Sequence, residues 1–145
     1  MTLKLENGNY GGAIVLEAIK DTEYGLNLIA ITRINQLEKP STKEFINAEI
    51  LCLNYASWDN KPEIGWYYLK SLKSDKIKLE VVGKIEIEPK FSPDDHSKGF
   101  YFGGSGDKMK EKIERQFESE KINSKESKTI KLKELTNLKI KWKLW

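Results

Sequence analysis

The sequence predicts an α+β domain: a curved, mainly antiparallel β-sheet, one principal helix in the C-terminal half and a short helix near 41–47. Three observations predict it. Apolar runs rich in β-branched residues, separated by polar connections containing Gly or Pro, dominate residues 13–88. The apolar period then changes after Asp107, where Met109, Ile113 and Phe117 recur every four residues and mark one face of a helix. At 145 residues the chain reads as one domain, 1–145, because a second would leave each half near the lower limit for a stable core.

The first strand spans 13–19 and follows Gly11-Gly12; the second spans 26–32. The connection Lys20-Asp21-Thr22-Glu23-Tyr24-Gly25 between them is short and polar, which is a hairpin signal. Both strands are apolar at most positions, so they are expected to lie centrally, covered on both faces. Ser41 with Glu44 is a capping-box spacing: the serine oxygen accepts an orphan N–H and the glutamate reaches back. It predicts the helix near 41–47. Further strands are expected at 48–55, at 65–70 and at 81–88, the last closed by Pro89 and alternating from Lys84 onward. A short strand at 100–102 precedes the helix, for which Asp107 is the expected N-cap. Lys110–Glu114 and Glu111–Arg115 stand at i,i+4 spacing. The stretch 118–131, rich in Glu, Lys and Ser, is expected to hold a mobile connection. Residues 138–144 alternate strictly between apolar residues and Lys139, Lys141 and Lys143, a strand with one packed face.

The counts exclude several kinds of chemistry. One Cys and one His cannot supply the three or four ligands of a zinc site, so no metal and no cofactor are expected. A lone Cys52 forms no internal disulfide, and its apolar neighbours make it a buried small hydrophobe. No signal peptide and no apolar run of membrane-spanning length is visible, so the expected location is cytoplasmic. The net charge of +3 hides an asymmetry. Residues 1–60 carry 5 basic and 8 acidic groups, residues 61–105 carry 8 and 7, and residues 106–145 carry 12 and 7. The lysine row could contact phosphates, but lysines also blunt an edge strand and no aromatic platform accompanies them.

Gly103-Gly104-Ser105-Gly106-Asp107-Lys108 resembles a phosphate loop only superficially. Asp107 stands where glycine must precede the lysine, Met109 follows where a hydroxyl is needed, and Asp107 puts a negative charge at the helix start. Ser105 fails the nucleophile-elbow pattern, because Asp107 occupies the second glycine position. His96 beside Asp94 and Asp95 offers a general base, in a segment with the composition of a solvated loop. No enzymatic constellation stands out. The segment Trp58-Asp59-Asn60-Lys61-Pro62-Glu63-Ile64-Gly65-Trp66-Tyr67-Tyr68 is the richest in binding chemistry, since Trp and Tyr dominate interface hot spots. Trp66 reads as core and Trp58, beside turn residues, as an exposed anchor.

Three motifs together resemble bacterial immunity proteins of polymorphic toxin systems, of the immunity protein 26 type. They are Gly8-Asn9-Tyr10-Gly11-Gly12 before a hairpin, the Trp58–Tyr67 segment, and Phe100-Tyr101-Phe102-Gly103-Gly104 before a helix. The resemblance covers roughly residues 8–120. It implies a non-catalytic inhibitor that binds a cognate protein toxin and neutralises it. It does not supply contact residues, which vary with the toxin. From aromatics and loops, the expected toxin contacts are Trp58, Asp59, Lys61, Glu63, Tyr24, Tyr101, Gly104, Ser105 and Asp107. The chain departs from the acidic character common in nuclease inhibitors, although its first 60 residues are acidic. The alternatives are a basic nucleic-acid-binding β-domain using the lysine row, or a small hydrolase using His96 with Asp94 or Asp95.

Overall fold

The computed structural model describes residues 1–19, 25–53, 62–72, 78–88, 101–102, 106–123, 130–131 and 139–141. The α+β architecture is as expected. Strands β1 (Thr2–Lys4), β2 (Tyr10–Ile19), β3 (Leu26–Ile31), β5 (Ile64–Tyr68) and β7 (Tyr101–Phe102) form one open sheet, in the order β1-β2-β3-β5-β7. Neighbours run antiparallel except β5 and β7, which are parallel. A β4 (Glu49–Ile50) pairs with β8 (Ile130–Lys131), and β6 (Glu86–Glu88) pairs with β9 (Lys139–Lys141). The helices are α1 (Thr42–Ile46), α2 (Leu69–Leu72) and α3 (Gly106–Asn123).

Both faces of the sheet are covered because β3 is apolar at nearly every position. Leu26, Leu28 and Ala30 pack on one side with Ile14, Leu16, Phe45 and Trp66. Ile29 and Ile31 pack on the other with Leu3, Leu51, Tyr67, Met109 and Ile113. The period of two thus feeds two cores, one against α1 and one against α3. β2 departs from the expectation of complete coverage. Val15 and Ala18 are exposed, and the pairing slips between Val15 and Glu17. That bulge bends the strand and adds twist.

Gly11 and Gly12 lie inside β2, not before it. A Cβ on Gly12 would stand 2.6 Å from Phe45 Cε1 and 3.0 Å from Thr32 Oγ1, so glycine admits the Phe45 ring. The capping box of α1 is present: Ser41, in extended conformation, donates its N–H to the Glu44 carboxylate. The expected strand at 65–70 ends at Tyr68, where the chain turns into α2. The expected strands at 48–55 and 81–88 shrink to β4 and β6 among the described residues. α3 begins at Gly106, so Asp107 lies in its first turn, where a negative charge complements the helix dipole. It runs on to Asn123, so the first six of the fourteen residues 118–131 are helical rather than connecting. Both expected i,i+4 pairs form on it, Lys110–Glu114 at 4.0 Å and Glu111–Arg115 at 3.4 Å.

Candidate interaction site

The side of α3 that faces the sheet is only half apolar. Met109 and Ile113 are fully buried, and Phe117 packs against their cluster, as the four-residue spacing predicts. Beside them Gln116 and Glu120 are also buried, and Lys112 is largely covered. Lys112, Gln116 and Glu120 follow i,i+4 spacing and form a polar ladder about 12 Å long at 1.5 Å per residue.

Each end of that ladder is ion-paired to the sheet. Lys112 Nζ donates to Glu63 Oε1 at 2.8 Å, with side-chain exposures of 17% and 7%. Lys112 also hydrogen-bonds the buried Tyr67 hydroxyl, whose pKa burial pushes up to about 12. Eight residues on, Arg33 meets Glu120 through both nitrogens, Nη2 to Oε1 at 2.8 Å and Nη1 to Oε2 at 3.2 Å. The Arg33 guanidinium lies 5.0 Å from the Phe117 ring centroid, within cation–π range. Every fully covered side-chain polar atom among the described residues has a hydrogen-bond partner. Buried charges demand this, because one left unpaired costs several kcal/mol.

This seam anchors the stems of segment 54–61. Cys52 and Pro62 form an antiparallel bridge across its base. Glu63 N–H donates to Leu51 O at 2.8 Å, and Ile31 N–H donates to Glu63 O at 3.0 Å. Cys52 itself is buried as expected, and burial raises its thiol pKa, against a smaller opposing pull from Arg33.

The three described contact residues, Glu63, Tyr101 and Asp107, divide between two ends of the sheet. Glu63 immediately precedes β5, and Tyr101 is in register with Gly65 at that end. The stems of 54–61 meet the same end. The first turn of α3, with Asp107, lies toward the other end, where α2 and α3 touch. The stems of the 20–24 connection also lie there, since Leu26 pairs with Tyr68. Five residues of strand separate the ends, about 16 Å. Trp58, Asp59, Lys61, Tyr24, Gly104 and Ser105 lie outside the described residues, as do Asp94, Asp95 and His96.

Glu63 needs a correction. The sequence groups it with exposed contacts, yet it is 5% exposed and paired with Lys112, so its carboxylate ties sheet to helix. Trp66 is core, 2% exposed, as expected; Tyr67 is equally buried on the opposite face, and Tyr68 is exposed. Sequence reasoning missed Arg33, Lys112, Gln116 and Glu120. The signal was the i,i+4 spacing of the last three, but charged residues on a helix ordinarily mark its solvent side.

Among the described residues, no three His, Cys, Asp or Glu gather as metal ligands, and no helix is long and apolar enough to cross a membrane. In β6 and β9 the register sets Glu86 opposite Lys141 and Glu88 opposite Lys139. No family model, curated protein or solved structure matches the chain.

Proposed function

We propose that this protein is a non-catalytic immunity protein of a bacterial polymorphic toxin system, acting in the cytoplasm by binding a cognate toxin domain. One observation carries the reading beyond the resemblance. The segment holding Trp58, Asp59 and Lys61 springs from stems fixed by the Cys52–Pro62 bridge and by the buried Glu63–Lys112 pair. Rigid stems reduce the ordering cost of binding, the usual requirement for a tight aromatic-anchored interface. Tyr101 lies at the same end of the sheet, so it belongs with this patch. Asp107, in the first turn of α3, belongs with the other end and is a secondary contact. The register of β6 and β9, which sets Lys139 and Lys141 opposite glutamates, weighs against the nucleic-acid alternative.

The test is co-purification with the toxin domain encoded beside it, together with rescue of growth when both are expressed. Trp58→Ala should weaken binding by about 2 kcal/mol or more, a typical hot-spot loss, while far-UV circular dichroism stays unchanged. Failure of the wild-type chain to bind or protect against that neighbour refutes the reading. Full affinity in Trp58→Ala moves the interface to another surface.

A further inference from the structure

The turn joining β1 to β2 is Glu6-Asn7-Gly8. Leu5 N–H donates to Asn9 O at 2.8 Å and closes it, and Gly8 N–H donates back to Leu5 O at 3.0 Å. Gly8 takes a φ of +88°, the left-handed position with which short hairpin loops of this kind end. Asn7 is exposed, and its side-chain Oδ1 accepts the Asn9 N–H at 2.9 Å. Of the chain's asparagines, Asn7 alone is followed by glycine.

Those neighbours can react with each other. The Gly8 nitrogen, once hydroxide has taken its proton, is a nucleophile tethered to the Asn7 side-chain carbonyl carbon through the Asn7 main chain. Attack forms the bond from nitrogen to Cγ and closes a succinimide. The bond from Cγ to the side-chain nitrogen breaks, and that nitrogen takes a proton from water and leaves as ammonia. Water then opens the ring at either carbonyl, giving aspartate by one cut and isoaspartate by the other. Glycine at position 8 matters because a Cβ there would crowd the closing ring. The Asn9 N–H on Oδ1 stands where negative charge develops during the attack.

We propose that Asn7 is a self-modification site, converted in the folded chain to aspartate and isoaspartate through the Gly8 nitrogen, at a rate gated by local opening of the turn. The gate is the Gly8 N–H, whose proton is held on Leu5 O and must be released before hydroxide can remove it. Releasing it needs only the tip to open. Leu3 and Leu5 are 1% and 6% exposed, so core packing keeps β1 in place meanwhile. Such an opening costs much less than unfolding the domain. The product puts a carboxylate on the rim of a cleft already lined by Glu6, Glu114 and Glu118. It stands beside the Glu6 N–H that donates to Glu114 Oε2 at 2.7 Å and ties the hairpin to α3. The chain thereby gains a negative charge at this contact with water as the only co-reactant.

The test incubates the whole folded chain in mildly alkaline buffer made with heavy-oxygen water and reads each asparagine by peptide mass spectrometry. Residue 7 should convert ahead of every other asparagine, to a pair of products of equal mass that separate by chromatography and carry solvent oxygen. Urea well below the unfolding transition should leave the rate within about twofold, because a local opening exposes little surface, whereas full unfolding should raise it by about tenfold or more. Gly8→Ala, compared with the wild type in the unfolded state so that its φ plays no part, should slow conversion by about tenfold or more. The proposal is overturned if the folded chain leaves residue 7 intact, if another asparagine converts first, or if Gly8→Ala converts as fast as the wild type. Equal rates in the folded and unfolded chain overturn it too, as does a rate that climbs with sub-transition urea as steeply as global unfolding. The measurement uses no toxin, so this proposal and the immunity reading stand or fall separately.

Discussion

Replacing Lys112 with methionine isolates the energetics of the seam. The substitution keeps an unbranched side chain against Tyr67 but leaves the Glu63 carboxylate, 7% exposed, without its cation. An uncompensated buried charge of this kind costs about 3–5 kcal/mol. A domain of ordinary stability has only about 5–15 kcal/mol in total. With a urea slope of roughly 1–3 kcal/mol per molar, the unfolding midpoint should fall by about 2 M. The double variant Glu63→Met with Lys112→Met removes both charges and should recover most of that loss, because apolar replacements of a buried pair are often neutral or better. Tyr67→Phe is the control for the hydrogen bond that Lys112 also makes. The readout is chemical denaturation of the wild type, Lys112→Met, Glu63→Met and the double variant, closed as a double-mutant cycle, with Tyr67→Phe measured beside them. A loss below about 1 kcal/mol for Lys112→Met would refute the reasoning, since that is the scale of a solvated surface pair.

Three further outcomes follow from other contacts. Gly12→Ala drives a methyl group into Phe45 and Thr32, and should cost about 1–3 kcal/mol as overpacking, read as a lower melting temperature. Tyr67 should stay un-ionised in the folded chain at pH 11, seen as tyrosinate absorbance below that of the unfolded chain at the same pH. Because its folded pKa of about 12 lies above the unfolded value near 10, its stabilisation is whole below pH 10 and is lost as pH climbs toward 12; Tyr67→Phe should flatten that loss. Cys52 should react with a thiol reagent only on unfolding, since it is buried and its thiol is held in the protonated form; rapid labelling of the native chain would contradict this.

Much of the fold was legible because its strands and main helix carry strong periodic patterns. The 13–19 and 26–32 runs, the Ser41–Glu44 box and the Met109, Ile113, Phe117 stripe each gave the right element. The misses have physical causes. β1 and β8 are two or three residues long, too short to show a period. β5 ends at Tyr68, where Leu69 and Leu72, three apart, give α2 its apolar side. The site was less legible because burial depends on what folds over a residue. Glu63 reads as a loop charge until α3 brings Lys112 to it. Lys112, Gln116 and Glu120 read as a solvated stripe until two carboxylates and two cations are seen to match across the interface.

The polar ladder has a further consequence for how α3 sits. A wholly aliphatic helix face can slide along a sheet by one turn, about 5.4 Å, and meet nearly equivalent packing. Here such a slide would separate Arg33 from Glu120 and Glu63 from Lys112 in the same step, breaking two largely buried ion pairs at once. The two pairs act together as a vernier with a single matching position. They give α3 one register on the sheet rather than a family of near-degenerate ones, and they fix the base of segment 54–61 by the same means.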